Sequence, residues 1–435
     1  MDIKKTFAAL ICCFIAQSAY ATFNAQDPRA LGMGGTSVAA GNTAQAHLYN
    51  PSLLASPMPE EDFNFEIFGA IRLADPDNLT DSFSDFGKEK YFSVFADSLT
   101  AMNDFIAKVK ANPLDYTDSE KDSVALGFKS ATENLQNAIN ALSNKSIISE
   151  FNAGIMTSDP REGISWAVYF NYWIDAGGTL NVDDRDNNEL NTRIGVIDTV
   201  IAATDATDID VVSLFNPIDS LYSNATIEGM AVQEIGIALA MPYAINNYSF
   251  DVGITPKFMS IKTYSYIRSL EQSEENNEII DLSDSKDYSS VNLDLGLSKK
   301  LTENWKSGLT IKNLIPQSFE TSKGTELNIS PELRLGTSYQ NNWATVALDF
   351  DLTENEAPAS GSKSRYLAVG TELDAWLAKV RLGYRANLAS SNNNIASVGL
   401  GLYLLGLNID AAVAQGQGET GPNDLNGAIQ IGLQW

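Results

Sequence analysis

Asn426-Gly427-Ala428-Ile429-Gln430-Ile431-Gly432-Leu433-Gln434-Trp435 decides how this chain is read. In an extended strand side chains alternate between two faces. Gly427, Ile429, Ile431, Leu433 and Trp435 then share one face, and Asn426, Ala428, Gln430, Gly432 and Gln434 the other. One face is oily and the other carries amides and small residues. A soluble sheet also alternates, but an aromatic residue closing the last strand suits a membrane interface, with lipid outside and a wet lumen inside. The stretch is therefore read as the strand that closes a barrel against the first strand, leaving no open edge.

The rest of the 435 residues fits that reading. Lys4 and Lys5, the apolar run Thr6 to Ile15 and Ala19-Tyr20-Ala21 have the layout of a secretory signal peptide over residues 1–21, cleaved after Ala21. Both cysteines, Cys12 and Cys13, lie inside it, so the processed chain is expected to have no disulfide or thiol chemistry. No other stretch approaches the roughly 18 consecutive apolar residues of a transmembrane helix. The net charge of −26 argues against nucleic acid as a partner and against docking on anionic lipid, and is read as surface solvation.

Residues 22–57 read as a plug. Ala30-Leu31-Gly32-Met33-Gly34-Gly35-Thr36 has too many glycines for a helix, and Asn50-Pro51 marks a turn; small residues suit a backbone packed tightly inside something else. From residue 58 onward strands take over, beginning with the alternation of Phe63, Phe65 and Ile67. Two insertions, about 82–146 and 183–224, interrupt them. The first carries apolar residues at helical spacing: Val94, Leu99, Met102, Phe105, Ile106 and Val109, then Leu126, Leu135, Ile139 and Leu142. Later strands are expected at Asn328–Tyr339, Trp343–Leu352, Arg365–Leu373 and Leu377–Leu388. The tally is about fourteen, an even number, as a single-chain bacterial barrel requires. Connections alternate long and short, which sorts them onto two rims and puts the helical insertions on the outer one.

Charges fall on one face of these strands. Glu332, Arg334, Asp349, Asp351, Glu372, Asp374, Lys379, Arg381 and Arg385 would be costly against lipid, so they are assigned to the lumen. They read first as a cross-strand ladder that fixes register and fills the barrel, and second as a polar lining that steers a solute. Pro256 interrupts a strand and marks a kink or gap in the wall. His47 is the single histidine, which removes most nucleophile–base and metal-ligand sets. No enzyme, metal or cofactor is expected, and His47 reads as a packing residue of the plug.

The glycine segment Ala30–Thr36 with Tyr49-Asn50-Pro51 resembles the N-terminal hatch of FadL-like and PorV-like outer-membrane proteins. Gly34, Gly35, Asn50 and Pro51 match the hatch pattern, while Ser52 stands where such hatches commonly have alanine. Asn328-Ile329-Ser330-Pro331-Glu332-Leu333-Arg334-Leu335-Gly336, Asp349-Phe350-Asp351-Leu352-Thr353-Glu354-Asn355, and Tyr366–Gly370 through Arg381–Arg385 are similar to the conjugal-transfer TraF-like barrel family. The C-terminal third is the most specific part of that likeness. The thioredoxin-like protein sharing the TraF name would need a thiol-bearing domain that this sequence does not encode.

The resemblance implies a plugged barrel in the bacterial outer membrane, passing small hydrophobic molecules through a hatch-gated lumen. Its partners would be outer-membrane lipid, the outer-membrane assembly machinery and small hydrophobic solutes or other envelope proteins. The alternative is a structural component of a conjugation or secretion apparatus.

Overall fold

The structure, a computed structural model, describes residues 25–56, 63–75, 77–113, 116–143, 145–161, 163–204, 221–246, 248–270, 284–359, 361–389, 394–417 and 422–434. The signal-peptide reading and Trp435 lie outside the described residues.

The strands are β1 (Asn64–Ala74), β2 (Ser146–Asp159), β3 (Ser165–Asn181), β4 (Asn224–Ile245), β5 (Tyr248–Ser269) and β6 (Ser285–Lys300). They continue with β7 (Trp305–Lys312), β8 (Gln317–Glu320), β9 (Glu326–Ile329), β10 (Glu332–Gln340), β11 (Ala344–Asp351) and β12 (Asn355–Glu356). The last six are β13 (Lys363–Ser364), β14 (Tyr366–Ala375), β15 (Ala378–Asn387), β16 (Ile395–Leu404), β17 (Leu407–Gln417) and β18 (Pro422–Gln434). β8 pairs with β9 and β12 with β13 in two small ladders; the other strands close one antiparallel barrel in the order β1-β18-β17-β16-β15-β14-β11-β10-β7-β6-β5-β4-β3-β2. This is the all-β, outer-membrane-type barrel of fourteen strands that the alternation and loop parity imply. Closure is in register from Asn64↔Gln434 to Ala74↔Asp424, with Phe65↔Leu433, Ile67↔Ile431 and Gly69↔Ile429 between. No backbone edge is left along that seam.

The outer wall is apolar. Ile429 is 58% exposed, and Ile431, Leu433, Ile67, Val369, Leu382 and Leu400 also face outward. Aromatic residues gather at the short-turn rim: Tyr243 and Tyr248 flank the β4–β5 turn, Trp305 begins β7, Trp343 precedes β11, and Trp376 in the β14–β15 turn is 88% exposed. Such a girdle belongs where bilayer meets water. At roughly 25 cal/mol per Å², leaving this belt in water would be very costly. β4 and β5 run 22 residues each, well beyond the roughly ten that cross a bilayer, so they carry the wall outward past the membrane on the long-loop side.

Three expectations are corrected. The segment Asn328–Tyr339 is not one strand: Pro331 cannot donate to a ladder, and the chain breaks at Ser330-Pro331 between β9 and β10. The plug does contain helix, in short pieces: α1 (Pro28–Gly32), α2 (Ala46–Tyr49) and a 3-10 turn, Pro51–Ala55. Asp27 caps α1, accepting from the Arg29 and Ala30 amides, and Pro28 occupies its first turn; the glycines enter after it, Gly34 and Gly35 at φ 71° and 93°. In the outer insertion the apolar stripe runs through Phe95 and Phe128, whereas Val94 and Leu126 are 52% and 53% exposed.

That insertion forms α3 (Leu79–Glu89), α4 (Tyr91–Ala111) and α5 (Asp118–Ala141), joined by α6 (Asp184–Ala202) from the second insertion. Leu99, Met102, Phe105, Ile106, Leu135, Ile139, Leu190 and Ile197 share one core, to which Leu180, Leu221 and Leu270 add strand-end side chains. The stripe is thus used in packing helices together above the barrel mouth.

Candidate functional site

The hatch, residues 25–56, sits inside the barrel because the wall gives it room and charge. Where it touches the short-turn half of the barrel, the wall residues are glycines. A Cβ at Gly253 would meet the backbone of Pro51 and Ser52, at Gly308 the Val38 carbonyl, at Gly370 the Met33 carbonyl, and at Gly383 the Met33–Gly34 peptide. Gly32 of α1 in turn lies against the Cα of Gly399 in β16. Backbone meets backbone on this belt, an approach that any side chain would block.

Buried ion pairs fix the hatch on one side. Arg29 grips Glu372 of β14 with two parallel contacts, Nε to Oε2 at 2.9 Å and Nη2 to Oε1 at 3.0 Å. Its Nη1 donates to the Ala40 carbonyl at 2.6 Å. Glu372 Oε2 also accepts from Arg381 Nε at 2.7 Å, and Arg381 reaches Asp410 of β17 at 2.5 Å and Tyr403. A carboxylate between two guanidinium groups is compensated on both sides, which is the condition for burying charge. Arg334 pairs with Asp351 at 2.5 Å and donates to the Gly35 carbonyl at 3.3 Å. Asp349 Oδ2 accepts from the Ser37 and Val38 amides at 2.8 and 3.0 Å.

Within the hatch, Asp27 Oδ2 accepts from the Tyr49 hydroxyl at 2.6 Å. Burial pushes the Asp27 carboxyl above its ordinary range, and burial with the neighbouring Asp27 pushes the Tyr49 phenol well up. Asn50 anchors the second turn: its Oδ1 accepts from Ser52 Oγ at 2.7 Å and its Nδ2 donates to the Val38 carbonyl at 2.7 Å. Pro51 starts the 3-10 turn that follows.

The lumen assignments sort into levels. Glu332, Arg334, Asp349, Asp351, Glu372, Arg381 and Arg385 are buried and face inward, Arg385 lying 4.7 Å from the Tyr366 ring centre. Asp374 and Lys379 take the same parity at the short-turn rim, 3.8 Å apart, Asp374 exposed and Lys379 half-buried. At Pro256 the β4–β5 ladder skips Ile237 and Ala238 opposite Pro256 and Thr255, then resumes in the same register. The β5–β6 ladder continues through Pro256↔Leu293. Proline has no amide hydrogen to give, which accounts for the gap on one side.

Above the hatch, on its long-loop side, lies a cavity of about 110 Å³. Its walls include Asn152, Asn171, Glu234, Lys257, Asp294, Lys312 and Glu332, one inward residue from each of seven successive strands, with His47 contributed by the hatch. Lys257 lies 3.1 Å from Asp294 and 3.5 Å from Glu234, which also accepts from the Tyr169 hydroxyl at 2.6 Å. Glu332 stands directly opposite Lys312 on the paired strands. His47 lies against Tyr169 and Phe68, with ring centres 4.7 and 6.0 Å away. Burial keeps its imidazole neutral, with a pKa pushed down to about 3. Trp173 and Ile329 line the cavity too, and both belong to an apolar roof with Met230, Val232, Met259, Ile261, Phe319 and Leu327.

Of these residues the sequence singles out only His47 and Glu332. Lys257 and Asp294 carried a usable signal, since each is a lone charge flanked by outward apolar neighbours: Pro256 and Phe258, Leu293 and Leu295. Arg29 carried none, because its partner is 343 positions away.

A closed circuit of strands, an oily exterior, an aromatic rim and an internal hatch define the class: a plugged outer-membrane-type β-barrel. Residues 47–351 match the family described as "F plasmid transfer operon, TraF, protein", well over half of the chain, and the chain belongs to that family. The match takes in His47, Asn50 and Pro51 and stops at Asp351, so the Tyr366–Arg385 stretch lies beyond it. No curated protein matches the chain. Among solved structures it is similar to the toluene transporter TbuX of Ralstonia pickettii, with a TM-score of 0.48, 11% identity, and 95% of this chain and 100% of that one covered. It is also similar to the toluene transporter TodX of P. putida (TM-score 0.45, 12% identity, 95% and 99% covered) and to the monoaromatic hydrocarbon channel CymD (TM-score 0.37, 10% identity, 95% and 99% covered).

Proposed function

We propose that this barrel passes small, largely hydrophobic molecules across the bacterial outer membrane, with the hatch as its gate. The observation that carries the reading is the cavity directly above the hatch, roofed by apolar side chains of β4, β5 and the β8–β9 hairpin. A solute arriving from outside would be held there between an oily roof and the plug. The charged floor opposes onward movement of an apolar molecule, so the ladder gap at Pro256 is its proposed side exit. Residues 1–21 would direct the chain across the inner membrane, and assembly machinery of the envelope would insert it.

The test is uptake and conductance in liposomes with and without Thr22–Pro57. Flux that rises when the hatch is removed supports gating. No flux in either form sinks the passage reading. It would favour the second one, a structural component of a conjugation or secretion apparatus, which the tightly paired Arg29–Glu372–Arg381 set supports. Pro256→Val, which restores an amide donor, is expected to lower uptake if the side exit is used.

A further inference from the structure

The cavity above the hatch has a feature that filling a barrel with balanced charge does not explain. Residues lining it carry buried polar atoms with no hydrogen-bond partner among the described residues: His47 Nε2, Asn152 Oδ1 and Nδ2, Asn171 Oδ1 and Glu332 Oε2. The four residues come from the hatch and from three separate strands, and each is at least nine-tenths buried. Burying such groups unsatisfied is costly, and native proteins rarely tolerate it except where a ligand or ordered water completes the bonding.

The chemistry of the unsatisfied set is one-sided. His47 Nδ1 lies 2.9 Å from the Ala44 carbonyl oxygen, a contact that only an N–H can make. In the neutral ring Nε2 is then a bare acceptor. The two asparagine oxygens and the glutamate oxygen are acceptors as well, so four acceptors face one donor, the Asn152 amide nitrogen. Charge points the same way. The lining carboxylates are Glu150, Asp175, Glu234, Asp294 and Glu332, against the cations Arg72, Lys257 and Lys312. Arg72 is further occupied by Asp424 outside the cavity. A donor-rich cation answers both imbalances. Trp173 lines the same space and offers an aromatic surface to such a cation. The volume, about 110 Å³, suits an organic molecule somewhat smaller than the ~150 Å³ that holds benzene.

We propose that this chamber is a binding site for a small organic amine, its ammonium group held by His47, Asn171 and Glu332 and its apolar end directed to the Trp173–Ile329 roof. The assignment deepens the passage reading by naming the polar end of the solute, and it rests on that reading for its role in the cell.

The experiment is calorimetric titration of the detergent-solubilised full chain with butylamine, butanol and butyrate. Butylamine is expected to bind at least tenfold more tightly than either of the others. Glu332→Gln is expected to weaken butylamine tenfold or more and to change butanol by far less. Asn171→Asp, which adds a carboxylate, is expected to tighten butylamine, and it keeps the test open should Glu332→Gln fail to fold. Equal affinity for butylamine and butanol, or no binding of butylamine by a folded wild-type barrel, overturns the assignment and leaves water as the occupant. Binding is measured without requiring flux. A failed liposome assay therefore sinks passage alone, and equal affinities sink the amine alone.

Discussion

The wall that holds the hatch and the wall of the chamber are made of the same alternating strands, yet they treat buried charge in opposite ways. On β14, β15 and β17 one set of charges is matched inside the protein: Glu372 lies between Arg29 and Arg381, and Arg381 continues to Asp410, while Arg385 of β15 keeps Nε and Nη2 without a hydrogen-bond partner among the described residues. On β2, β3 and β10 buried acceptors lining the chamber are left without a hydrogen-bond partner among the described residues. The first arrangement locks one conformation in place, since displacing Arg29 leaves two buried carboxylates, Glu372 and Asp410, sharing the Arg381 guanidinium in low dielectric. The second holds its unsatisfied bonding in readiness for something that is not the protein. One face of the lumen is a fastener and the other a receptor.

The sharpest way to upset that contrast is Arg381→Ala. It leaves Glu372 and Asp410 buried with one cation fewer, and the loss should be about 3–5 kcal/mol, seen as a lower urea midpoint of the folded, heat-modifiable band. A change below 1 kcal/mol would mean that the ladder is well hydrated and fastens little. Next comes Asp349→Ala, which strips the acceptor from the Ser37 and Val38 amides; about 1.5–3 kcal/mol is expected, with faster proteolysis confined to the hatch. Gly383→Val should cost about 1–3 kcal/mol by forcing the Met33–Gly34 peptide off the wall. Higher conductance with an intact barrel would show that the hatch, and not the wall, gives way.

The smallest effect concerns His47 and depends on pH. Its pKa is lowered from the ordinary 6.5 to about 3, so between those values the unfolded chain binds a proton that the native hatch refuses. Stability therefore rises with pH across that window and falls on acidification, by at most about 1.4 kcal/mol per unit. Comparing pH 7.5 with pH 5.5, the wild type should lose about 1 kcal/mol more than His47→Phe. Parallel losses would mean that the ring is already solvated.

Much of the architecture could be read from side-chain parity alone. Ile429, Ile431 and Leu433 face outward because Gln430 and Gly432 between them face in, and the long-short alternation of the loops put α3–α6 on one rim. Locally encoded features were legible for that reason. What escaped was set by partners remote in sequence. Nothing near Arg29 announces Glu372, and a glycine such as Gly383 signals that some backbone comes close without saying which. Val94 and Phe95 show the finer limit: both suit a helix stripe, and only the position of α5 decides that Phe95 turns inward. The chamber was hidden because its residues, taken one strand at a time, are single polar side chains among many; they become a site only when seven strands and the hatch are brought together.

The closing seam also dictates a schedule. Asn64 finds Gln434, and Arg29 finds Glu372, only after nearly the whole polypeptide has been threaded between them. Loop-closure entropy makes such distant meetings late events. Plug seating and wall sealing are thus bound to the final strands, and a chain truncated before β14 would have neither a finished cylinder nor a stopper to put in it.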